Sequence, residues 1–357
     1  MRETTKEFGF SWDVISVHPL GPLREHLSSN SINAIGCHYR GPLGLFSHLA
    51  LRNRIHRQLL ADRPILMTGP TITGLLSLPT RRRCGRVLCV HYHHEGVHEK
   101  WQWRLLYWLA NSRFDLITFP SDFVRNEAIS IFPKMKEKCL TVRNPVRIPD
   151  VVQLASDKAR HELGIGDNVP VIGNAGWIIQ RKRFDVFLDV AGAVLKEHPD
   201  AMFLIAGDGA LREDMEKKAG EMGISGSIRF LGWQKDLSAF YQTIDILLFS
   251  TDWDAYPTTP IEAMSYGKPV VCSALNSGVF EIIDDSIGCC LRTHDVAGLS
   301  SFVCRLIKDP HLAKSLGAKA RERVERNSRH DISILPIVNA LTGLREGGGN
   351  STEAILA

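Results

Sequence analysis

Short apolar runs recur along the chain and alternate with more polar segments of helix length. Within each run the apolar residues are continuous rather than alternating, which indicates strands covered on both faces of a parallel sheet. The first half has predicted strands at 13–17, 32–37, 64–69, 86–92, 115–120 and 139–144. The second half has predicted strands at 170–175, 202–207, 227–232, 244–250 and 269–274. The pattern therefore predicts an α/β protein.

A polar connection at 145–169, with prolines and glycines, separates the two series of strands. We predict one domain over 1–150 and a second over 151–330. A helix at 331–345 could cross back to the first domain, and 346–357 would form a flexible tail. Two α/β domains in tandem usually place their ligand in the cleft between them, at the carboxyl ends of the strands.

Composition is that of an ordinary globular protein, with 44% hydrophobic and 23% charged residues among 357. No stretch is both long and apolar enough to span a bilayer, and the first residues contain no apolar signal core. We therefore expect a cytoplasmic protein. The eight cysteines contain no Cys-x-x-Cys pair, so we treat them as free thiols in a reducing compartment.

Charge is distributed unevenly between the halves. Residues 1–150 hold 21 Lys and Arg against 12 Asp and Glu, whereas residues 151–357 hold 22 against 27. A basic first half suggests an anionic partner. Basic and aromatic residues together at 99–110 could lie on the inner face of a membrane, as a peripheral contact. The alternative, which we favour for the leucines, is a helix packed on the sheet with Leu105, Leu106 and Leu109 inward; the contribution of the Trp and Arg residues stays open. Nucleic acid is not expected, because no binding module accompanies the charge.

Three consecutive cations, Arg181, Lys182 and Arg183, precede a predicted helix in the second half. A helix N-terminus attracts anions through its free N–H groups, and a lysine adds a point charge. The cluster therefore suits a diphosphate, although a solvated basic loop is the commoner outcome for such a cluster. The sequence contains no P-loop, dinucleotide-binding fingerprint or nucleophile elbow.

Two turns that follow neighbouring strands add candidate contacts. Gly207 and Gly209 flank Asp208 in a turn that could approach a ligand or simply link a strand to a helix. Trp233 follows the strand at 227–232 and could flank a nucleotide base or cover the sheet.

The acids in segment 251–271 admit two interpretations. Asp252 and Asp254 could hold a divalent metal on a sugar-nucleotide diphosphate. Alternatively, Asp254 and Glu262 could be the two halves of a metal-free sugar-nucleotide site. We favour the second interpretation, in which Asp252 is incidental and Glu262 accepts both hydroxyls of a ribose.

The helix entry between these acids is predicted at Pro260, with Thr258 or Thr259 as its cap. This places Glu262 in the first helical turn, where the carboxylate could also simply complement the helix dipole.

These motifs, in this order, resemble the carboxyl-terminal domain of the retaining glycosyltransferases of family 4. The resemblance covers roughly residues 86–345 and is strongest over 170–300. It implies the GT-B fold, with two Rossmann-like, doubly wound domains facing a cleft. It also implies transfer of a sugar from a UDP- or GDP-linked donor to an acceptor hydroxyl, with retention and without a metal. The expected setting is polysaccharide, glycolipid or glycoconjugate biosynthesis.

Residue by residue, the resemblance assigns Lys182 to the donor diphosphate and Glu262 to the ribose. Asp254 would contact the transferred sugar, although the family has a glutamate there. Trp177 stands where the family has arginine. The other expected donor contacts are Gly176, Gly207, Gly209, Thr258, Thr259 and Trp233.

Histidines follow the strand at 86–92, and the family carries a functional histidine at the end of such a strand. His93 is our first candidate and His91 the next, beside Asp254 in the catalytic set. The family's first strand and glycine-rich loop are not visible, so we expect a truncated first domain. A nucleotide-sugar-binding protein without transferase activity, a sugar-nucleotide epimerase, and a metal-dependent transferase using Asp252 and Asp254 remain as alternatives.

Overall fold

The computed structural model describes residues 13–16, 33–36, 65–69, 72–78, 85–91, 100–149, 160–329 and 333–346. These residues contain twelve β-strands, and all of the strand pairs are parallel. They divide into two compact units. The first takes the described residues up to Phe119, Val124–Val142, and those from Ile334 on; the second takes Pro120–Phe123 and the described residues of Arg143–Ser333.

The first unit contains a two-stranded and a four-stranded parallel sheet. Strands β1 (Asp13–Ser16) and β2 (Asn33–Gly36) form the smaller sheet. The larger follows the order β3-β4-β5-β6, with β3 Ile65–Thr68, β4 Arg86–Cys89, β5 Leu116–Phe119 and β6 Cys139–Thr141. Its helices are α1 (Ile72–Ser77), α2 (Lys100–Arg113), α3 (Asp122–Ile131, whose first two residues belong to the second unit) and α10 (Leu335–Glu346).

Helix α10 covers one face of the four-stranded sheet. Ala340 and Leu341 of this helix are buried together with Val87, Cys89 and Leu116 of β4 and β5. The last described helix is thus held by apolar contacts within the first unit.

Helix α2 has a buried face and an exposed apolar face. Leu106 and Leu109 are buried as predicted, and Trp103 and Tyr107 are buried beside them. The inward prediction for Leu105 is wrong, because this side chain is 37% exposed. It lies between Trp101 and Trp108, at a spacing that places all three on one side of the helix.

The second unit contains one six-stranded sheet in the order β12-β11-β10-β7-β8-β9. Its helices are α4 (Phe184–Leu195), α5 (Arg212–Glu221), α6 (Ser238–Thr243), α7 (Thr258–Ser265), α8 (Val296–Lys308) and α9 (Pro310–Asn327). Its strands are β7 Val171–Ala175, β8 Met202–Ala206, β9 Ile228–Gly232, β10 Ile246–Asp254, β11 Val270–Ser277 and β12 Gly288–Leu291.

Both faces of this sheet are buried in separate apolar cores. Val171 and Leu247 belong to one core, whereas the adjacent Ile172 and Leu248 belong to the other. This double burial explains why the strands are continuous apolar runs. Among the described strands only β12 (Gly288–Leu291) was not predicted.

The connections create a switch point at the centre of the sheet. From β7 the chain builds β8 and β9 on one side and then β10, β11 and β12 on the other. In doubly wound sheets of this order, ligands bind outside the carboxyl ends of the two central strands, which here are β7 and β10.

Two cysteines that we treated as free thiols are bonded. Cys272 of β11 and Cys290 of β12 face each other in register and form a disulfide. In addition, within the described ranges no helix combines the length and the apolarity needed to cross a membrane.

Candidate functional site

A cationic turn follows β7 at the switch point. Residues Gln180–Lys182 form one 3₁₀ turn, and α4 begins two residues later at Phe184. Two hydroxyls from β10 hold this turn in place. Ser250 Oγ donates to the carbonyl oxygens of Lys182 (3.2 Å) and Arg183 (2.8 Å), and Thr251 Oγ1 donates to that of Arg181 (3.1 Å). The sheet therefore fixes the backbone positions of Arg181, Lys182 and Arg183.

Asp254, the last residue of β10, accepts hydrogen bonds from two of these cations. Its Oδ2 lies 2.7 Å from Lys182 Nζ and 3.1 Å from Arg181 Nη1. Lys182 and Asp254 expose only 13% and 14% of their side chains. Burial lowers the pKa of Lys182, and the Asp254 carboxylate partly restores it. The ammonium also lies 4.9 Å from the centroid of the Phe249 ring. Lys182 is thus a positioned, poorly hydrated cation.

Asp252, which we expected to be incidental to donor binding, takes part in a hydrogen-bond network within the second unit. Its Oδ1 lies 3.1 Å from Arg183 Nη1 and 2.9 Å from His294 Nε2. The other ring nitrogen of His294, Nδ1, is 2.9 Å from the hydroxyl of buried Ser273. The chain Ser273–His294–Asp252–Arg183 therefore connects β11 to the cationic turn.

Arg183 has a strained backbone conformation, which is why its ion pairs matter for stability. Its φ of 48° makes it the only residue other than glycine with positive φ among the described residues. This left-handed conformation is unfavourable for a side chain as long as arginine. Ion pairs with Asp252 and Asp185 on either side of the guanidinium offset that strain.

We predict that Asp252→Asn destabilises the second unit modestly, by about 1 kcal/mol. A neutral amide oxygen accepts from the Arg183 guanidinium less strongly than a carboxylate does, and the site is partly solvated, which limits the effect. The unfolding free energy in urea measures this change. Asp214→Asn, on the exposed face of α5, is the control and should change it by less than about 0.5 kcal/mol. Equal effects of both substitutions would contradict a supporting role.

The helix that carries Glu262 begins earlier than predicted. Helix α7 starts at Thr258, its N-cap residue is Pro257, and Pro260 lies within the first turn, so the prediction of a threonine cap was wrong. Thr258 is exposed. Thr259 Oγ1 instead donates to the carbonyl of Ala175 (3.1 Å), which ties the helix start to the end of β7.

Glu262 is oriented by a tyrosine that the sequence analysis did not identify. Tyr241 of α6 is 2% exposed and donates its hydroxyl to Glu262 Oε2 at 2.6 Å. Burial raises the pKa of Tyr241 well above its usual value, and the nearby carboxylate raises it further. The phenol therefore remains a donor, and it fixes one oxygen of a half-buried carboxylate.

The three glycines assigned to donor binding shape two turns that pack on each other. A Cβ at Gly207 would lie 1.9 Å from the carbonyl oxygen of Gly176, and one at Gly209 would lie 2.4 Å from that of Ile178. The amide of Ile178 also donates to the carbonyl of Asp208 (2.9 Å). Any side chain at Gly207 or Gly209 would therefore push the β7 and β8 turns apart.

The two tryptophans near these turns do not cover the sheet. Trp177 and Trp233 are 63% and 64% exposed. In the first unit, His91 lies just beyond β4 and is exposed. His93 lies outside the described residues.

The residues missed by sequence reasoning share one property. Tyr241, His294 and Ser273 reach the site through folding, from elements distant in sequence. No spacing pattern identifies them, since each is an isolated residue of a type common in globular proteins.

Comparison with known proteins finds glycosyltransferases that are similar to this chain in sequence and in fold. Residues 155–323 match the family model of "Glycosyl transferases group 1". The chain is 25% identical over 169 residues to the lipopolysaccharide core biosynthesis glycosyltransferase LpsE of Rhizobium meliloti (strain 1021). That alignment covers 47% of this chain and 48% of LpsE, so the chain spans about half the length of this curated relative.

Solved structures match almost the whole chain. The crystal structure of Anabaena Alr3699/HepE in complex with UDP and glucose has a TM-score of 0.82 at 17% identity, covering 96% of this chain and 95% of HepE. The structure of WaaG, a glycosyltransferase involved in lipopolysaccharide biosynthesis, has a TM-score of 0.71 at 14% identity, covering 97% and 94%. The expected GT-B fold, with two α/β units built on parallel sheets, is confirmed.

Proposed function

We propose that this chain is a group 1 glycosyltransferase that transfers a sugar from a nucleoside diphosphate to an acceptor hydroxyl. The observation that carries the proposal is the placement of Lys182 and Glu262 beside the switch point between β7 and β10. Each is held by a partner from another element, so a cation for phosphate and a carboxylate for ribose are both preorganised. The family match over 155–323 supports the same assignment.

In this proposal the cationic turn binds the donor diphosphate. The ammonium of Lys182 offsets the charge that develops on the leaving phosphate, and its low hydration strengthens that interaction. Arg181 supplies a second positive charge, on the same oxygen of Asp254 as Lys182. It would serve in place of the family's arginine, whose position in this chain is occupied by Trp177. Glu262 accepts the ribose hydroxyls, with one oxygen oriented by Tyr241.

We further propose retention and independence of metal. For retention, the leaving phosphate oxygen takes the acceptor proton on the face from which it departs, so the new bond forms on that face. Against a metal on Asp252 and Asp254, both carboxylates already accept hydrogen bonds from Arg181, Lys182 or Arg183. A divalent ion would have to displace these cations and overcome their repulsion.

A panel of donors tests the proposal. The full chain is incubated with UDP- and GDP-sugars and with acceptors from polysaccharide and lipopolysaccharide synthesis, and released nucleotide and product are measured. UDP-sugars come first, because HepE was crystallised with UDP and glucose. Turnover that survives chelation with EDTA and gives a product of unchanged anomeric configuration is expected. Nucleotide binding without transfer to any acceptor would support the non-catalytic alternative, and loss of turnover in EDTA would support a metal-dependent one.

A membrane-facing acceptor would suit the exposed face of α2. Trp101 and Trp108 expose 64% and 55% of their surface on either side of Leu105, with exposed Arg104 nearby. Exposed tryptophans beside arginine match an interfacial surface, where the rings enter the headgroup region and the cation meets anionic lipid.

We predict that Trp101→Ala combined with Trp108→Ala weakens partitioning onto vesicles with anionic lipid by about tenfold or more. Co-sedimentation with such vesicles measures the change. Leu275→Ala, which removes a 51% exposed apolar side chain from β11, is the control and should have no effect. Unchanged partitioning of the double variant would show that the exposed face of α2 does not contact the membrane.

A further inference from the structure

A second group of chemically active side chains lies at the opposite end of α4 from the cationic turn. Glu197 and His198 follow the C-terminus of α4, and Cys304 lies on the last turns of α8. Their ligand atoms all lie within 4.8 Å of one another. Because α4 has 12 residues, this group is about 18 Å from the turn that carries Lys182.

The backbone holds these side chains in place. The amides of Glu197 and His198 both donate to the carbonyl of Val194, at 3.0 and 2.9 Å, and the amide of Ala201 donates to that of His198. Cys304 is 4% exposed. The three ligand atoms are therefore brought together by the packing of α4 and α8 and not by a mobile surface segment.

One atom of the group is left without a partner. His198 Nε2 is buried and has no hydrogen bond in the described part of the chain. A buried polar atom that loses its hydrogen bonds to water destabilises a fold by about 1–3 kcal/mol, and such atoms commonly mark the position of an ion or an ordered water.

The donor set identifies which ion fits. A thiolate, an imidazole and a carboxylate are the protein ligands of zinc, whereas magnesium and calcium prefer oxygen alone. We propose that Glu197, His198 and Cys304 form a zinc-binding site with water as the fourth ligand. In a tetrahedral zinc site the ligand atoms lie about 3.3–3.8 Å apart. Side-chain rotations that move each ligand atom by about 1 Å would therefore be enough to bind the metal.

A lysine competes with the metal for this site. Lys308 Nζ lies 2.6 Å from Glu197 Oε2, and both side chains are more than half exposed. An exposed ion pair of this kind contributes little free energy, so the ammonium can swing into solvent. Removing this cation should therefore strengthen metal binding.

Bound zinc would join the end of α4 to α8. A ligand that binds only the folded state stabilises the protein. Above Kd, the free energy of unfolding rises with the logarithm of the ligand concentration. The stability of the folded second unit is therefore a readout of zinc binding that does not depend on sugar transfer.

Cobalt(II) titration of the chelator-treated full chain tests the site, because cobalt occupies tetrahedral zinc sites and absorbs light. We expect one equivalent of cobalt to produce a thiolate-to-cobalt charge-transfer band and intense visible bands, both displaced by zinc. Cys304→Ser should abolish the charge-transfer band, and His198→Asn should weaken affinity at least about tenfold. Lys308→Met should strengthen it.

Cys289→Ser is the matched control, since Cys289 is another free cysteine of the same unit and is half-buried. It should bind cobalt like the parent protein. Circular dichroism establishes that each variant is folded before titration. A charge-transfer band that persists in Cys304→Ser, that disappears in Cys289→Ser, or that never forms in the parent protein overturns the proposal.

Discussion

Lys182→Met is expected to lower kcat/KM for sugar transfer by about 100- to 1,000-fold. The substitution retains an apolar stem of similar length against Phe249 and removes only the ammonium. The leaving diphosphate then develops its charge without the nearest buried cation, and Asp254 retains Arg181 as its single partner in the turn. A low-dielectric site amplifies this loss, because Lys182 is only 13% exposed.

Initial rates of nucleotide release with the preferred donor measure this effect. Lys217→Met is the control, because Lys217 lies on α5 with 77% of its side chain exposed and should leave kcat/KM unchanged. Near-ultraviolet circular dichroism shows whether the core around Phe249 is intact. A folded Lys182→Met variant with more than about a tenth of the parent activity would exclude Lys182 from the transition state.

Glu262→Gln is expected to weaken nucleoside diphosphate binding by about 10- to 100-fold. A hydrogen bond to a charged group contributes about 1.5–3 kcal/mol, which corresponds to that range. Tyr241→Phe should weaken binding less, because the carboxylate remains and loses only the hydroxyl that orients it. Calorimetric titration of UDP and GDP measures both changes.

A nucleotide that lacks a ribose hydroxyl shows whether the contact is direct. If Glu262 accepts the ribose hydroxyls, the 2′-deoxy nucleotide should bind the parent protein more weakly and should show a smaller effect of Glu262→Gln. Glu221→Gln, at the exposed end of α5, is the control and should leave both affinities unchanged. An equal effect of Glu262→Gln on both nucleotides would mean that the glutamate supports the helix rather than the ribose.

The fold followed from the sequence because burial on both faces leaves a direct trace in it. A strand such as Val171–Ala175 has no solvent-facing positions, so its apolar run is uninterrupted and is bounded by turn residues. Helix α4, which we predicted after the three cations, likewise repeats buried apolar residues at helical spacing, at Phe184, Phe187, Ala191 and Val194. Helix α7 was misplaced by two residues because its N-cap residue is a proline, whereas Pro260 is the residue that resembles a helix start.

The sequence by itself thus determined the parallel α/β architecture and the segments that meet at the switch point. It singled out Lys182, Asp254 and Glu262 as candidate residues, and the proposed substitutions test the roles of Lys182 and Glu262. Only the tertiary structure decided what holds them, since Tyr241 reaches Glu262 from α6 and Asp254 reaches Lys182 from β10. The same holds for the Cys272–Cys290 disulfide and for the Asp252 network. Hydrophobic periodicity is a local property that can be read from the residues of one element. A hydrogen bond between distant side chains cannot be read in this way, because it depends on the relative positions of two separate elements.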